Sequence, residues 1–399
     1  MTHRERMLAA LGGEPADRIP WAPRLDLWHR AHSRAGTLPA EYRSATLREM
    51  TDDLGWGYHA VVPDFRDLRG EFDDAERALC VYNIWTMPCR SVLQGVERVV
   101  TRQGDRTRTE YRTPEGAVTT TTVYDDSMRD AGITITHVAE HAFESPADYG
   151  PLGFIFENMR VEPNYDGYAE FAEFVGERGL AVGCVSLASS PMHLIQRELM
   201  PLDTFFFECH DHPEEMAELA RRIGLYWDRL IEVAAASPAE VLFVGGNYDA
   251  MVTYPPFFAE HIVPTLSRFS GALHDAGKYL LAHTDGENDG LLEHYVAAGV
   301  DIADSVCPRP MTKLGLEEVR AIFDGRVTVM GGVPSVALLE ESMPDADFHG
   351  FLDGFFEEIG AGDHIILGVS DTTPPGAKFE RLVEIARRVE AFGPVGGRD

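Results

Sequence analysis

A histidine, two carboxylates and a cysteine follow two short apolar runs of the chain. His283, Asp285 and Glu287 occupy alternate positions after residues 280–282, so an extended backbone would place their side chains on one side. Cys307 ends the next apolar run, and one strand–helix unit would bring its thiol beside the histidine. Zn²⁺ binds nitrogen, sulfur and oxygen ligands tetrahedrally and can leave one position open for a substrate. The spacing therefore predicts a metal site at His283, Asp285, Glu287 and Cys307.

Two other apolar runs also end in side chains that can transfer protons or bind polar groups. Asn247 and Asp249 follow the run at 241–245, and Asp371 follows the run at 364–368. We predict that Asp249 and Asp371 are catalytic and that Asn247 binds substrate. Asn and Asp also cap helices and form turns, so a structural role for these residues remains an alternative.

An early segment at 21–26 adds Arg24 and Asp26, which would lie near the mouth of a barrel. We predict that both bind substrate, and a surface salt bridge between them is the alternative. The predicted metal ligands also have ordinary alternatives. A buried cysteine is often a small core residue, and a histidine at a strand end often makes only hydrogen bonds.

The elements that must position these residues alternate between strand and helix along most of the chain. Repeated strand–helix units at this spacing predict a parallel sheet, and their number favours a closed (β/α)₈ TIM barrel with an N-terminal extension. We expect one domain over residues 1–399, with an antiparallel β-hairpin insertion at 91–125 where β-branched residues alternate between Gly-containing turns. The predicted strands are 60–63, 180–185, 241–245, 279–282, 302–305, 327–330 and 364–368.

The composition is that of a globular protein with a strongly acidic surface. The 399 residues are 44% hydrophobic and carry a formal net charge of −30, which would repel nucleic-acid phosphates and anionic membranes. No apolar run reaches membrane-spanning length and the N-terminal residues are too charged for a signal peptide, so we expect a cytoplasmic protein. The five cysteines form no CxxC pair, which predicts reduced thiols. No glycine-rich dinucleotide or P-loop motif follows a strand.

Several short segments spread over nearly the whole chain carry a family resemblance. They are Arg4-Glu5-Arg6-Met7 through Asp17-Arg18-Ile19-Pro20, the hairpin region, Tyr254-Pro255-Pro256-Phe257-Phe258, His283-Thr284-Asp285-Gly286, Met330-Gly331-Gly332-Val333 and Pro374-Pro375. Together these segments resemble the uroporphyrinogen decarboxylase-like superfamily. The resemblance implies a (β/α)₈ barrel, in agreement with the periodicity. Tyr254, which opens one of the segments, is a further predicted substrate-binding residue.

One branch of this superfamily decarboxylates uroporphyrinogen without a cofactor. Members of this branch share two arginines near the N-terminus that hold substrate carboxylates. The similar segment of this chain has Ser33 and Thr37 in their place. An acidic protein is also poorly suited to a substrate with many carboxylates. A metal-free lyase that depends on Asp or Tyr side chains is therefore the alternative function.

The other branch consists of zinc methyltransferases that move a methyl group between a corrinoid and an acceptor such as a thiol or tetrahydrofolate. Their zinc motif is HxC at a strand end. His283 matches the motif's histidine, Asp285 stands in the place of its cysteine, and Cys307 falls close to where related synthases carry a carboxylate ligand. The cysteine of the last strand is absent, and residues 369–371 occupy that region.

The resemblance therefore implies a metal-dependent methyltransferase with an exchanged ligand set. Its cofactor would be zinc, its methyl donor a methyl-corrinoid such as methylcobalamin, and its acceptor a small molecule, with a corrinoid protein as a candidate partner. The exchange leaves open a retained zinc, another divalent metal or a lost metal. A non-catalytic partner of a corrinoid protein is a third hypothesis.

Overall fold

The computed structural model describes residues 1–396 and shows a mixed α/β fold. The strands are β1 (Cys89–Val92), β2 (Glu97–Gln103), β3 (Arg106–Thr113), β4 (Gly116–Val123), β5 (His137–Glu140), β6 (Arg160–Pro163), β7 (Val182–Ser186), β8 (Val241–Val244), β9 (Tyr279–His283), β10 (Ile302–Val306), β11 (Thr328–Pro334) and β12 (Ile365–Ser370).

The α-helices are α1 (His3–Gly12), α2 (Asp26–Ala35), α3 (Leu47–Leu54), α4 (Asp126–Asp130), α5 (Tyr149–Asn158), α6 (Tyr165–Val175), α7 (Pro191–Leu194), α8 (Leu202–Asp211), α9 (Pro213–Ala236), α10 (Pro255–Phe257), α11 (Val263–Asp275), α12 (Leu292–Ala297), α13 (Leu316–Phe323), α14 (Asp345–Glu358) and α15 (Phe379–Phe392). Two π-helices follow α7 and α10, at Ile195–Leu199 and Phe258–Ile262. Short 3₁₀ turns lie at Ala40–Tyr42, Arg77–Leu79, Pro146–Asp148, Gly176–Arg178 and Ser335–Leu338.

Strands β7 to β12 form a parallel sheet in which each strand pairs with the next one along the chain. Every residue of β7, β8, β10, β11 and β12 is buried, which explains why the sequence has near-continuous apolar runs there. Helices connect these strands, as parallel pairing requires. The described residues contain six parallel strands, whereas the sequence analysis expected eight.

Both edges of this sheet are hydrogen-bonded to segments near the N-terminus. Residues 20–22 exchange two backbone hydrogen bonds of 2.8 and 2.9 Å with Leu367 on β12 and accept another from Gly57. On the opposite edge, the N–H of Val182 on β7 donates to the carbonyl of Ala60 at 3.0 Å. The two segments therefore lie along the free edges, although neither is long or regular enough to count as a strand.

One predicted strand differs from the structure. The expected strand at 60–63 is absent, because only Ala60 bonds to β7 and Pro63 has no N–H with which to continue a ladder.

The helical segment that follows β7 is divided into α7 and the first π-helix. The N–H of Met200, just after this π-helix, donates to the carbonyl of Ile195 at 3.2 Å. This π-helix carries Arg197, which donates a hydrogen bond to Asn247.

The insertion region contains antiparallel strands. β2, β3 and β4 pair in succession, with tight turns between Gln103 and Arg106 and between Thr113 and Gly116, and β5 adds a fourth strand. A separate pair, β1 and β6, flanks this sheet. Within residues 1–396, every helix is too short or too polar to cross a bilayer.

The close packing of residues 20–22 on β12 can be tested at Gly368. A Cβ at this position would lie 2.9 Å from the carbonyl oxygen of Ala22, so a side chain has to displace that backbone. We expect Gly368→Ala to lower the free energy of unfolding by about 2 kcal/mol in urea titrations, as over-packed positions do. Gly224→Ala, inside α9 with open space around it, is the matched control and should be neutral or stabilising. Equal unfolding free energies for the two variants would contradict this packing.

Candidate metal centre

His283, Asp285 and Asp371 converge at the carboxyl ends of the parallel strands. Each offers one ligand atom, and the three atoms lie within 4.8 Å of one another. The Nε2 atom of His283 is 3.2 Å from Oδ1 of Asp371 and 3.8 Å from Oδ2 of Asp285. His283 is the last residue of β9, Asp285 follows it, and Asp371 follows β12. The group is the one cluster of three or more such side chains within residues 1–396 that could hold a metal ion.

A buried aspartate on the neighbouring strand fixes the orientation of His283. Asp304 on β10 stands opposite His283 in the β9–β10 register, and its Oδ2 accepts a 2.7 Å hydrogen bond from Nδ1 of the imidazole. Its other oxygen lies 3.7 Å from Nε2 of His59. A carboxylate bound to one ring nitrogen sets the tautomer and aims the other nitrogen at the ligand position. Asp304 therefore directs Nε2 of His283 toward Asp285 and Asp371.

The charges in the cluster depend strongly on one another. Burial alone would lower the pKa of His283, but its hydrogen bonds to Asp285, Asp304 and Asp371 raise that pKa well above the ordinary value. Burial would raise the pKa values of Asp304 and Asp371, yet their contacts with His283 lower both. The imidazole is thus held as a cation among carboxylates. A divalent cation can replace its Nε2 proton, since ligation requires the neutral ring.

Asp371 is positioned from its other side by Arg24. Nη1 of Arg24 donates to Oδ1 of Asp371 at 2.8 Å, and Nε of the same guanidinium donates to Asp26 at 3.2 Å. Asp26 also accepts a 2.6 Å hydrogen bond from Arg30 on the next turn of α2. The side chain of Arg24 is only 14% exposed, so the pair is an internal one and not the surface salt bridge considered above.

Asn247 positions Asp285. Its Nδ2 donates to Oδ2 of Asp285 at 3.1 Å, and its Oδ1 accepts from Nη1 of Arg197 at 3.0 Å. Asn247 has a φ of +59°, which few non-glycine residues adopt. The turn before it also needs Gly245, whose φ is +89° and where a Cβ would overlap the Ser189 side chain. The backbone is held in an uncommon conformation that presents this amide to the cluster.

Two of the predicted metal ligands lie outside this cluster. The carboxylate of Glu287 accepts backbone N–H groups of Asp289 and Lys313, because the chain leaves the extended conformation after β9 and the alternation ends there. The thiol of Cys307 donates to the carbonyl of Ser305 at 3.3 Å. Burial, together with the carboxylates nearby, raises the pKa of this thiol, which disfavours a thiolate there.

Two further predicted residues have local structural contacts. The Asp249 carboxylate accepts the N–H groups of Met251 at 2.8 Å and Glu287 at 3.1 Å, so both oxygens stabilise the loop after β8. Tyr254 precedes α10 and its side chain is 40% exposed. Within the part of the chain that the structure describes, neither side chain makes a hydrogen bond or ion pair with His283, Asp285 or Asp371.

The structure also reveals site residues that the sequence analysis missed. Asp304 stands inside the apolar run of β10, and a single carboxylate within a fully buried strand is itself a signal, because burying a charge is costly unless it is paired. Arg197 and Glu198 interrupt an apolar helical stretch in the same way. The sequence shows that charged residues interrupt these apolar runs, but it does not show which side chains pair with them.

A cavity of about 480 Å³ adjoins the cluster. Arg24, Asp26 and His59 line it, together with the aromatic side chains of Trp85 and Phe171. A cavity of this size accommodates a small molecule. The cluster residues themselves do not line it, so Arg24 connects the two.

Comparisons with known proteins identify a similar fold. No protein-family model and no curated protein sequence matches the chain. Among solved structures, a methyltransferase from Methanosarcina mazei is similar, with a TM-score of 0.55 and 14% sequence identity. The similarity covers 98% of this chain and 99% of the other. The two chains therefore share a fold over nearly their whole lengths.

The His283–Asp304 pair predicts how the stability of the metal-free protein depends on pH. Because the folded-state pKa of His283 is raised, its stabilising effect is complete below the unfolded value of about 6.5 and is lost as pH rises through the folded value. Asp304→Asn should cost about 3 kcal/mol near pH 6, since it removes the buried carboxylate that accepts the Nδ1 hydrogen bond of the imidazolium. The difference from wild type should shrink at alkaline pH.

This prediction can be measured by urea unfolding of chelator-treated protein across neutral pH. The matched control is His274→Asn, which breaks the more exposed His274–Asp301 pair of 2.9 Å and should change stability by less than about 1 kcal/mol. A constant difference between wild type and Asp304→Asn at all pH values would mean that His283 is not protonated in the metal-free protein.

Proposed function

We propose that this protein is a cytoplasmic, zinc-dependent methyltransferase that moves a methyl group between a corrinoid carrier and a small thiol acceptor. The observation that carries the proposal is the His283–Asp285–Asp371 cluster, oriented by Asp304, in a fold shared with a methyltransferase. The resemblance to the zinc branch of the uroporphyrinogen decarboxylase-like superfamily adds the corrinoid donor, and a corrinoid protein is the proposed partner.

The fold proposal is a closed barrel. We infer that the six parallel strands and the two N-terminal segments, residues 20–22 and 57–60, together occupy the eight strand positions of the expected (β/α)₈ barrel. Three sets of backbone hydrogen bonds support this closure. Strand β12 bonds to residues 20–22, residues 20–22 bond to Gly57, and β7 bonds to Ala60. Side chains that follow several of these strands would then meet at the carboxyl-terminal face of the barrel, where TIM barrels carry their active sites.

The donor set suits zinc. One imidazole nitrogen and two carboxylate oxygens give three protein ligands, which is the number that catalytic zinc sites use when the fourth position takes substrate. Zinc at this position would supply Lewis acidity that lowers the pKa of an acceptor thiol. Asp304 would hold the proton on Nδ1 of His283, and Arg24 and Asn247 would fix Asp371 and Asp285.

A thiol acceptor fits the site better than a folate nitrogen does. Transfer to a folate nitrogen would form a carbon–nitrogen bond and release the N–H proton, and Asp249, one of the predicted catalytic residues, would have to accept that proton. Both oxygens of that carboxylate already accept backbone N–H groups. Transfer to a thiol breaks the carbon–cobalt bond, leaves its electron pair on cobalt, forms a carbon–sulfur bond and releases the thiol proton. Because zinc would lower the pKa of the thiol, that reaction needs no additional base on the chain.

The ligand set is tested by the metal content of purified variants. We expect about one zinc per chain in the wild type and a loss of at least about tenfold in zinc affinity in His283→Ala and in Asp371→Ala, because each removes one of three ligands. Cys307→Ser and Glu287→Gln should keep their zinc, and they serve as matched controls for the thiolate and carboxylate predicted from the sequence. Plasma mass spectrometry measures all five proteins. Loss of zinc in Cys307→Ser with retention in Asp371→Ala would contradict the proposed cluster.

The reaction is tested by turnover with methylcobalamin and a panel of small thiols. We expect zinc-dependent demethylation of methylcobalamin, followed by its absorbance, with at least about a hundredfold loss in His283→Ala. A parallel assay offers uroporphyrinogen to the chelator-treated protein. Decarboxylation without metal would favour the lyase instead, and binding of methylcobalamin or of a methyl-corrinoid protein without turnover would favour the non-catalytic partner.

A further inference from the structure

Four aromatic rings line the 480 Å³ cavity that adjoins the metal cluster. Two of them already carry a guanidinium. Arg69 lies 4.9 Å from the centre of the Trp85 ring, and Arg48 lies 4.5 Å from that of Phe174. No cationic side chain of residues 1–396 lies over the other two rings, which belong to Tyr58 and Phe171. The cavity therefore keeps aromatic surface that attracts a cation.

The charged side chains of the cavity wall favour a cation over an anion. Four carboxylates and three guanidiniums line it, and each guanidinium already faces two carboxylates within 4.0 Å. An anion would have to separate these pairs, whereas a cation meets a wall with one more negative charge than positive ones. The pairs are Arg24 with Asp26 and Asp371, Arg30 with Asp26 and Asp64, and Arg69 with Asp67 and Glu170.

Three polar groups of the cavity lining make no hydrogen bond in the part of the chain that the structure describes. The His59 side chain is only 8% exposed, and its Nε2 lies 3.7 Å from Asp304, beyond hydrogen-bond distance. The hydroxyl of Tyr58 is also unpaired, and burial raises its pKa, so it stays protonated. Oδ2 of Asp64 has only the 4.0 Å contact with Arg30. Secluded polar groups without partners are uncommon, and they indicate that a ligand completes this cavity.

The free groups suit a quaternary ammonium better than a primary one. A primary ammonium has three N–H donors, and each needs an acceptor. Most carboxylate groups of the wall already face guanidiniums, so few oxygens are free to accept. A quaternary ammonium has no N–H donor and binds through aromatic rings and nearby negative charge. A polar group elsewhere on the same molecule could bond to His59 or Tyr58.

We propose that this cavity binds a small organic cation with a quaternary ammonium group, in contact with Tyr58, Phe171 and Asp64. This site is separate from the metal and the acceptor thiol at the cluster, so the inference goes beyond the proposed function. The formal net charge of −30 attracts cations to the protein from a distance. A cavity of about 480 Å³ accommodates the ammonium group together with a short chain.

The test compares two molecules of the same shape and different charge. Choline has a quaternary nitrogen where 3,3-dimethyl-1-butanol has a quaternary carbon. Chelator-treated full-length protein is titrated calorimetrically with each in about 0.15 M NaCl, which screens the general attraction of the acidic surface. Choline should bind at least about tenfold more tightly, as a partly desolvated cation on aromatic rings does. Equal affinities, or no binding of choline at millimolar concentrations, would overturn the proposal.

Two variants locate the cation in the cavity. Phe171→Leu removes an aromatic face and keeps apolar volume, and Asp64→Asn removes a charge and keeps the shape. Each should lower the preference for choline at least about threefold and leave the affinity for the neutral alcohol unchanged. Phe207→Leu and Asp347→Asn, the same substitutions at exposed positions of α8 and α14, should keep it. A preference that survives both cavity substitutions would mean that the cation binds elsewhere, which contradicts the proposed site.

Repeating the titration with zinc-loaded protein separates this inference from the proposed function. A preference for choline in protein that takes up no zinc would support the cavity site and overturn the metal centre. Zinc uptake without that preference would leave the metal centre intact and overturn the cavity site. The comparison of the two ligands on the wild type needs no variant to fold.

Discussion

The hydrogen bond between His283 and Asp304 is the interaction on which the site depends. It joins residues that stand opposite each other in β9 and β10, so it forms only in this strand register. A slip of one strand by one residue would turn its side chain to the other face of the sheet and separate the pair. Asp285 and Asp371 come from different elements and share His283 as their common partner. The sheet register therefore determines whether three separate polar groups become one cluster.

The cluster is the centre of a continuous row of polar contacts with an arginine at each end. At one end Arg24 bonds to Asp371, and at the other Arg197 bonds to Asn247, which bonds to Asp285. The ends differ in charge balance, since Arg24 has two carboxylate partners and Arg197 shares one with Arg77. Arg24 holds Asp371 in place at one end, and Arg197 holds the amide that positions Asp285 at the other.

Much of the fold could be predicted because buried parallel strands appear in the sequence as apolar runs. The runs ending near His283, Cys307 and Asp371 all became strands of the central sheet, at positions within a few residues of those expected. The N-terminal segments that bond to the two edges of this sheet were harder to recognise. Residues 20–22 and 57–60 make only a few hydrogen bonds each, and segments so short leave no periodic pattern.

The residues of the candidate cluster could be predicted one by one, but their arrangement in space could not. His283 and Asp285 were predicted as metal ligands and Asp371 as a catalytic residue, each from its position after a strand, yet spacing could not show that the chain turns away before Glu287. Asp304 was hidden within an apolar run, and its role follows only from the strand opposite it. Arg197 lies in a π-helix, whose hydrogen bonds give no sequence period to detect.

That π-helix gives the site an unusual sensitivity to chain length. A π-helix holds one residue more than an α-helix would across the same turn, and each residue turns an α-helix by roughly 100°. Deleting one residue within Ile195–Leu199 would let α7 continue as regular helix and would change which side chain of this segment faces Asn247. A single codon deletion here would therefore remove the contact between Arg197 and Asn247, with His283, Asp285 and Asp371 unchanged.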